Sequence, residues 1–269
     1  MFLIEIPYCD LVKIYNGPQS YRWRKVNDNK YIVIDGKKIV LVEQKKNRKL
    51  FVCSEDEFFD YWFNYFDCDF DYGETLFTIK RFYKEIKQYS FFFSFIAKEN
   101  RRFRMLKNDL FETMIYYAID ENNRDKKFEK FLYTFGEKKV NSLGGLKITW
   151  FKFPDPNKID LSYMHEFTRD EIRKLSNIVN IINVDFLEAL KMNSDESEVY
   201  DKLQGIIDDD KWIKQVMLNA LGFKNIFCIN ENMKRLFKMN NIKPTCFSKF
   251  KEAQGFLLQL LKVKENGNN

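Results

Sequence analysis

The strongest constraint on the fold is a change of hydrophobic pattern near residue 85. Before that point, apolar runs at 31–34 and 39–42 flank Asp35-Gly36, and a third run follows at 50–53. Asp-Gly between two such runs is typical of a two-residue hairpin turn, which needs backbone conformations with positive φ. The first part of the chain is therefore predicted to form an antiparallel sheet.

After residue 85, apolar residues recur at helical spacing. Phe128, Phe131, Leu132 and Phe135 precede Gly136, which is well placed as a helix C-terminal cap. Two further stripes comprise Ile172, Leu175, Ile178, Val179 and Ile182, and Phe250, Ala253, Leu257 and Leu260. We expect an α+β protein in which an antiparallel sheet domain (1–85) packs on a predominantly α-helical domain (86–269).

Composition favours a large core and requires any basic surface to be local. The 269 residues are 45% hydrophobic and include 28 Phe and 14 Tyr, so the core should be rich in aromatic rings. Net charge is only +6, from 45 basic and 39 acidic residues. Two basic clusters stand out: Lys45, Lys46, Arg48 and Lys49, and Arg101, Arg102, Arg104 and Lys107. Each is either part of a DNA-binding surface or a solvated turn or helix end.

Several classes of protein are not indicated. Glu5 interrupts the first apolar residues, which argues against a signal peptide, and no apolar run is long enough for a membrane span, so a cytoplasmic location is expected. Five scattered cysteines without a CxxC pair indicate neither disulfides nor a metal centre. His165 is the only histidine, and a surface position is a more ordinary interpretation of it than a catalytic role in a Ser-His-Asp hydrolase. No cofactor is expected.

Short motifs distributed along the chain carry a family resemblance. They are Gly17–Trp23 (GPQSYRW), 60–73 (DYWFNYFDCDFDYG), Phe111-Glu112-Thr113, Asn122-Asn123-Arg124, 153–156 (FPDP) and Ala253-Gln254. In order and spacing they resemble the 8-oxoguanine DNA glycosylases, a branch of the helix-hairpin-helix superfamily. The resemblance implies a sheet domain beside two helical lobes, with DNA held against the cleft between the lobes.

The catalytic segment of that family resembles 203–236, with several parts exchanged. Lys211 stands at the position of the nucleophilic lysine, whereas Asn230 stands at that of the catalytic aspartate. The glycine-rich hairpin is replaced by Ile207-Asp208-Asp209-Asp210. Glycine lets a hairpin backbone approach a DNA phosphate closely, whereas acidic side chains would repel the phosphate.

These exchanges bear on the chemistry. A lysine must be neutral to attack a sugar, and the three aspartates favour its charged form. An asparagine at position 230 offers neither charge nor a proton acceptor, and the adjacent Glu231 is a poor geometric substitute. The aspartates have a structural interpretation as well, since acidic residues at a helix start cap free N–H groups.

The resemblance also implies residues that recognise DNA. Asn122 and Asn123 would enter the helix at the vacated base site or, alternatively, turn the junction between two helices. The residues that would contact DNA are Arg124, Lys127, Asn232 and Lys234. Of these, Lys127 falls near the position of the family's arginine that reads the opposite cytosine. Pro18, Gln215, Gln254 and Leu258 would line the base pocket.

Three interpretations of the function remain open. The first is a DNA base-excision repair glycosylase, possibly with AP lyase activity, that flips out a modified base, with 8-oxoguanine as the default, and attacks the sugar with Lys211. The second is a catalytically impaired relative that binds damaged DNA. The third is a protein-interaction scaffold. The expected partner is damaged double-stranded DNA, bound by a monomer without a small-molecule cofactor or a metal.

Overall fold

The computed structural model describes residues 1–17, 19–46, 48–77 and 104–226, together with 234, 237 and 238. Within these residues a five-stranded antiparallel sheet occupies the first part of the chain, and helices dominate after residue 104. The predicted α+β fold class is confirmed.

The sheet is built around the predicted hairpin. Its strands are β1 (Phe2–Glu5), β2 (Arg24–Asn27), β3 (Lys30–Asp35), β4 (Lys38–Lys45) and β5 (Arg48–Phe51), in the order β1-β5-β4-β3-β2. Gly36, in the turn between β3 and β4, has a φ of 52°. The turn is anchored on both sides, because the Gly36 N–H donates to the buried Glu112 carboxylate and the Gly36 carbonyl accepts from the Phe153 N–H.

Short helical segments follow the sheet. They are α2 (Glu55–Glu57), a π-helical turn (Phe58–Trp62) and α3 (Phe63–Tyr65), after the earlier α1 (Leu11–Tyr15). Residues 72–77 are also helical.

Longer helices make up most of the second part. They are α4 (Leu110–Ala118), α5 (Arg124–Phe135), α6 (Arg169–Ile181), α7 (Val184–Met192), α8 (Glu196–Gln204) and α9 (Asp210–Val216). Between them lie 3-10 turns (Glu121–Asn123, Pro156–Lys158, Leu161–Tyr163) and a hairpin of β6 (Glu137–Leu143) and β7 (Leu146–Lys152), and a π-helical turn (Met217–Leu221) follows α9. In the described part of the chain, no helix has the length and apolarity needed to cross a membrane.

The chain forms two compact units that interleave along the sequence. The first unit comprises residues 1–32, 42–107 and 222–269, and the second comprises 33–41 and 108–221. The predicted domain boundary at residue 85 falls in 78–103, outside the described residues, and stays a prediction.

The core of the first unit is aromatic, as the composition predicts. Phe51 meets Phe58 and Phe66 edge to face, with ring centroids 4.8 and 5.4 Å apart. The Trp23 indole N–H donates to the Tyr65 hydroxyl at 2.8 Å. Edge-to-face contacts are favourable between aromatic rings, and the satisfied indole allows Trp23 to be buried without an unpaired polar group.

The core of the second unit follows the predicted helical stripes. Phe128, Phe131 and Leu132 are buried on α5, and Leu175, Ile178 and Ile182 lie buried along α6 and at its C-terminal end. Gly136 ends α5 as expected, donating its N–H to the Leu132 carbonyl at 2.8 Å. Its φ of −71° is not left-handed, so close packing rather than conformational freedom favours glycine here: a Cβ would lie 2.5 Å from the Leu132 oxygen. The stripe that begins at Phe250 lies outside the described residues.

Replacing Gly36 by alanine should destabilise the protein by about 3 kcal/mol, because strain at positive φ is joined by a clash. A Cβ there would lie 2.9 Å from the carboxyl carbon of Asp109, whose side chain caps α4. Gly145→Ala is the matched control: its φ is also positive (82°), but nothing lies within 4 Å, so we expect about 1 kcal/mol. Urea unfolding of both variants measures the difference, and equal losses would contradict this account of the turn.

Candidate active site

Helix α9 holds Lys211 in its first turn with a defined orientation. Asp209 is the N-cap, and its carboxylate accepts the Trp212 N–H at 3.1 Å. Trp212 is buried and donates its indole N–H to the Met114 carbonyl of α4 at 3.0 Å. Because successive helical residues point in different directions, burial of Trp212 leaves Lys211 near the surface.

Lys211 meets a carboxylate that sequence reasoning did not identify. Its Nζ lies 2.5 Å from Oε2 of Glu121, and the two side chains are 49% and 53% exposed. Glu121 begins the 3-10 turn Glu121–Asn123, which Asp120 caps by accepting the Asn122 N–H at 2.9 Å. The two partners are 90 residues apart in sequence, so no local motif could have indicated the pair.

The acidic run before Lys211 is used for local structure. Asp208 accepts a hydrogen bond from the Gln204 amide at 2.9 Å. Asp210 accepts from the Tyr200 hydroxyl at 3.0 Å and pairs with Lys214 at 2.9 Å. The interpretation as a helix cap is confirmed for Asp209, whereas Asp208 and Asp210 bond to side chains instead.

Asp209 also lies against a second cation. Its carboxylate is 3.1 Å from Nζ of Lys174, which also pairs with Asp170 at 3.2 Å. Burial works to raise the pKa of Asp209, but the Trp212 N–H and the Lys174 ammonium outweigh it and hold the pKa below its ordinary value. Asp209 is therefore an ionised cap already engaged by Lys174.

These groups surround a pocket of about 430 Å³ within the second unit. It is lined by Tyr117, Ala118, Ile119, Asp120, Glu121, Asn122, Arg124, Thr168, Asp170, Glu171, Lys174, Asp209, Lys211, Trp212 and Gln215. Five of these side chains are carboxylates and three are basic, so the lining as a whole is acidic. A pocket of this charge suits a group that carries or develops positive charge.

Glu171 organises the pocket wall. Its carboxylate accepts from the Asp120 N–H at 2.9 Å and completes a capping box with Thr168 at the start of α6. It also pairs with Nζ of Lys127 at 2.6 Å, with the two side chains only 4% and 16% exposed. Burial works to raise the pKa of Glu171, but the Lys127 ammonium and the backbone N–H groups hold it below its ordinary value.

Asn122 and Arg124 line the same pocket as Lys211, and Asn123 stands between them in the sequence. Both asparagines are exposed, and Asn123 occupies the N-cap position of α5 without a side-chain capping bond. Arg124 is held in place: its Nε donates to the Ile119 carbonyl, and its guanidinium lies over the Tyr117 ring at 5.0 Å. The turn thus presents two amide side chains from a rigid base.

The remaining predicted site residues fall into two groups. Gln215 lines the pocket and is buried, its Oε1 accepting from the Asn219 amide at 3.0 Å. Lys234 is helical and exposed. The roles of five further residues stay predictions, because these residues lie outside the described part of the chain: Pro18, Asn230, Asn232, Gln254 and Leu258.

Two members of the basic clusters are buried, whereas Lys45, Lys46 and Arg48 of the first cluster are exposed. Lys49 and Arg104 are buried in the first unit. Arg104 donates to the carbonyls of Pro7 and Phe66, each at 2.9 Å, and Lys107 pairs with the buried Asp67 at 2.9 Å. For Arg104 a surface position was a wrong expectation, because a long basic side chain can satisfy buried carbonyls as readily as phosphates. Arg101 and Arg102 lie outside the described residues.

No constellation of three or more histidine, cysteine, aspartate or glutamate side chains in the described part of the chain could hold a metal ion.

Removing the Lys127 cation should cost about 3 to 5 kcal/mol, because Glu171 would keep a buried charge without its partner. We expect this loss in the unfolding free energy of Lys127→Met. The matched control is Lys130→Met on the same helix: the Lys130 side chain is half exposed, and its Nζ lies 3.9 Å from Glu166. An exposed pair of that kind contributes at most about 1 kcal/mol, and similar losses in the two variants would refute the buried-pair interpretation.

The depressed pKa of Glu171 also predicts a pH dependence of stability. Its ionised form contributes stability above the ordinary glutamate pKa of about 4.3, and this is lost as pH falls through the lower folded value. The unfolding free energy of Glu171→Gln should therefore depend less on pH between about 5 and 3 than that of the wild type. Parallel pH profiles would show that Glu171 has no such linkage.

Comparison with known protein families gives a match for the first part of the chain. Residues 2–114 match the family model of the 8-oxoguanine DNA glycosylase N-terminal domain. No curated protein matches the sequence.

Solved structures match the chain over nearly its whole length. MBOgg1 in complex with a low-affinity DNA ligand is 22% identical, with a TM-score of 0.79, 98% of this chain covered and 96% of the other. The 8-oxoguanine glycosylase/lyase of Clostridium acetobutylicum, in its apo-form, has the same identity and TM-score, with 97% and 95% covered. The 3-methyladenine DNA-glycosylase of Archaeoglobus fulgidus is 18% identical, with a TM-score of 0.70 and 98% and 99% covered.

The family resemblance found in the sequence is thereby confirmed. The helix-hairpin-helix detail, which rests on a hairpin without its usual glycines, stays a prediction. Residues 2–114 match the N-terminal domain model of the 8-oxoguanine DNA glycosylases, and over nearly its whole length the chain has the fold of solved 8-oxoguanine glycosylase structures.

Proposed function

We propose that this protein is a DNA base-excision repair glycosylase that uses Lys211 as its nucleophile. The observation that carries the proposal is the placement of Lys211. Its side chain is half exposed in the first turn of α9 and lines an acidic pocket that the 3-10 turn Glu121–Asn123 borders. The glycosylase fold of the chain adds to this support. Binding of damaged double-stranded DNA by a monomer without a cofactor is part of the same proposal.

The default substrate is 8-oxoguanine opposite cytosine. One solved structure of similar fold is the Clostridium acetobutylicum enzyme in complex with double-stranded DNA containing cytosine opposite 8-oxoguanine; it is 21% identical, with a TM-score of 0.78. That duplex is therefore the first to test.

The reaction consists of base displacement followed by iminium formation. Nζ of Lys211 bonds to C1′ of the sugar as the bond from C1′ to the base breaks, and the electron pair leaves with the base. Opening of the sugar ring then gives an iminium, from which lyase cleavage of the strand can proceed. The Lys211 ammonium must lose its proton before it can attack, and the exclusion of water by bound DNA favours the neutral amine.

DNA recognition is assigned to the turn beside Lys211 and to the last third of the chain. Asn122 and Asn123 occupy the vacated base site, and Arg124 braces their turn. Lys127, which pairs with Glu171, supports the site next to the opposite base. Asn232 and Lys234 contact phosphates, while Pro18, Gln215, Gln254 and Leu258 surround the flipped base.

Borohydride reduction should trap wild-type protein on duplex DNA that contains 8-oxoguanine opposite cytosine. Lys211→Gln should abolish the adduct, because an amide cannot form the iminium. Lys214→Gln is the matched control: it removes a lysine of the same helix that pairs with Asp210, and it should leave trapping unchanged. Denaturing gel electrophoresis of the reduced mixtures measures the covalent complex.

An adduct equally strong in Lys211→Gln would contradict the assigned nucleophile. If no wild-type adduct forms on 8-oxoguanine or abasic-site DNA, although the protein is folded and binds DNA with steep salt dependence, the catalytically impaired alternative replaces this proposal. Absence of DNA binding would favour a protein-interaction scaffold.

A further inference from the structure

The ion pair between Lys211 and Glu121 places a carboxylate on the proposed nucleophile from a different element of the fold. Glu121 belongs to the turn before α5, whereas Lys211 belongs to α9, and their charged atoms are 2.5 Å apart. The inference drawn from this contact rests on the proposed function.

Glycosidic cleavage by a lysine needs a carboxylate near the amine. A carboxylate stabilises positive charge as it develops on the sugar, and it can accept and return a proton. The neutral amide of Asn230, at the position where the family has its aspartate, can do neither at neutral pH. If the site is active, another residue has to supply this group.

The acidic residues that directly precede Lys211 in the sequence each bond to another partner. Asp209 caps α9 and pairs with Lys174, and Asp210 pairs with Lys214. Asp208 accepts from Gln204. In the described part of the chain, the carboxylate that contacts the Lys211 ammonium is that of Glu121.

We propose that Glu121 is the catalytic carboxylate of this site and takes the role that Asn230 cannot fill. Glu121 accepts a proton from the Lys211 ammonium, which leaves a neutral amine and a carboxylic acid. The amine bonds to C1′ as the bond to the base breaks, and the departing base anion takes a proton from the new aminium.

Opening of the sugar ring then returns Glu121 to its ionised form. The nitrogen lone pair forms the iminium with C1′ while the bond from C1′ to the ring oxygen breaks. Glu121 gives its proton to that oxygen, so protons and charge balance over the sequence. Covering of the half-exposed pair by DNA favours the first proton transfer, because desolvation disfavours two charges more than two neutral groups.

The pair is poorly suited to a purely structural role. Both side chains are about half exposed, and exposed ion pairs contribute little to stability. A variant that removes the charge of Glu121 should therefore fold normally. This makes activity a direct test of the proposed role.

The test compares Glu121→Gln, Glu121→Asp and wild type in single-turnover borohydride trapping on abasic-site DNA and on 8-oxoguanine DNA. An abasic site presents the sugar without a base, so the first duplex does not depend on the identity of the lesion. We expect Glu121→Gln to slow trapping at least about tenfold on both duplexes, with Glu121→Asp partly restoring the rate. The charge-matched control is Glu129→Gln, an exposed carboxylate of α5 outside the pocket lining, which should react like wild type.

Unchanged or faster trapping by Glu121→Gln, in the presence of wild-type adduct, would overturn the role of Glu121 and leave the proposed function standing. Faster trapping in particular would mean that Glu121 restrains the lysine in the free protein. Absence of a wild-type adduct on both duplexes would instead defeat the proposed function, and this inference with it. Thermal unfolding and DNA-binding measurements on each variant exclude misfolding as the cause of a lower rate.

Discussion

Trp212 is buried against α4 and donates its indole N–H to the Met114 carbonyl, and the orientation of the candidate site depends on this contact. Asp209 fixes the same helical turn by accepting the Trp212 N–H. With one residue of the first turn locked inside, its neighbour Lys211 has to project toward the pocket and can meet Glu121. A side chain positioned by packing and capping loses little further freedom when it reacts, which favours catalysis.

The electrostatic character of the pocket differs from what the sequence alone suggested. Three consecutive aspartates before Lys211 looked unfavourable for a poised lysine, yet each has a structural partner. The carboxylate that meets the ammonium is Glu121, which belongs to a distant turn. The acidic lining suits the proposed reaction, in which positive charge develops on a sugar.

Much of the fold was predictable because it depends on local patterns. Asp35-Gly36 sets the β3–β4 turn, and the spacing of Phe128, Phe131 and Leu132 gives the buried face of α5. Lys211, Asn122 and Asn123 are proposed as site residues from motif order, since periodicity alone would class each as a surface residue. Glu121, Glu171 and the burial of Arg104 could not be predicted, because each depends on pairing between segments that are far apart in sequence.

The central claim, that the Lys211 amine bonds to the sugar, is tested most directly by peptide mapping of the reduced protein–DNA complex. Wild-type protein would be treated with borohydride on DNA containing 8-oxoguanine opposite cytosine, digested with protease and nuclease, and analysed by tandem mass spectrometry. The account predicts a reduced sugar adduct on Nζ of Lys211. An adduct on another residue, with Lys211 unmodified, would contradict it.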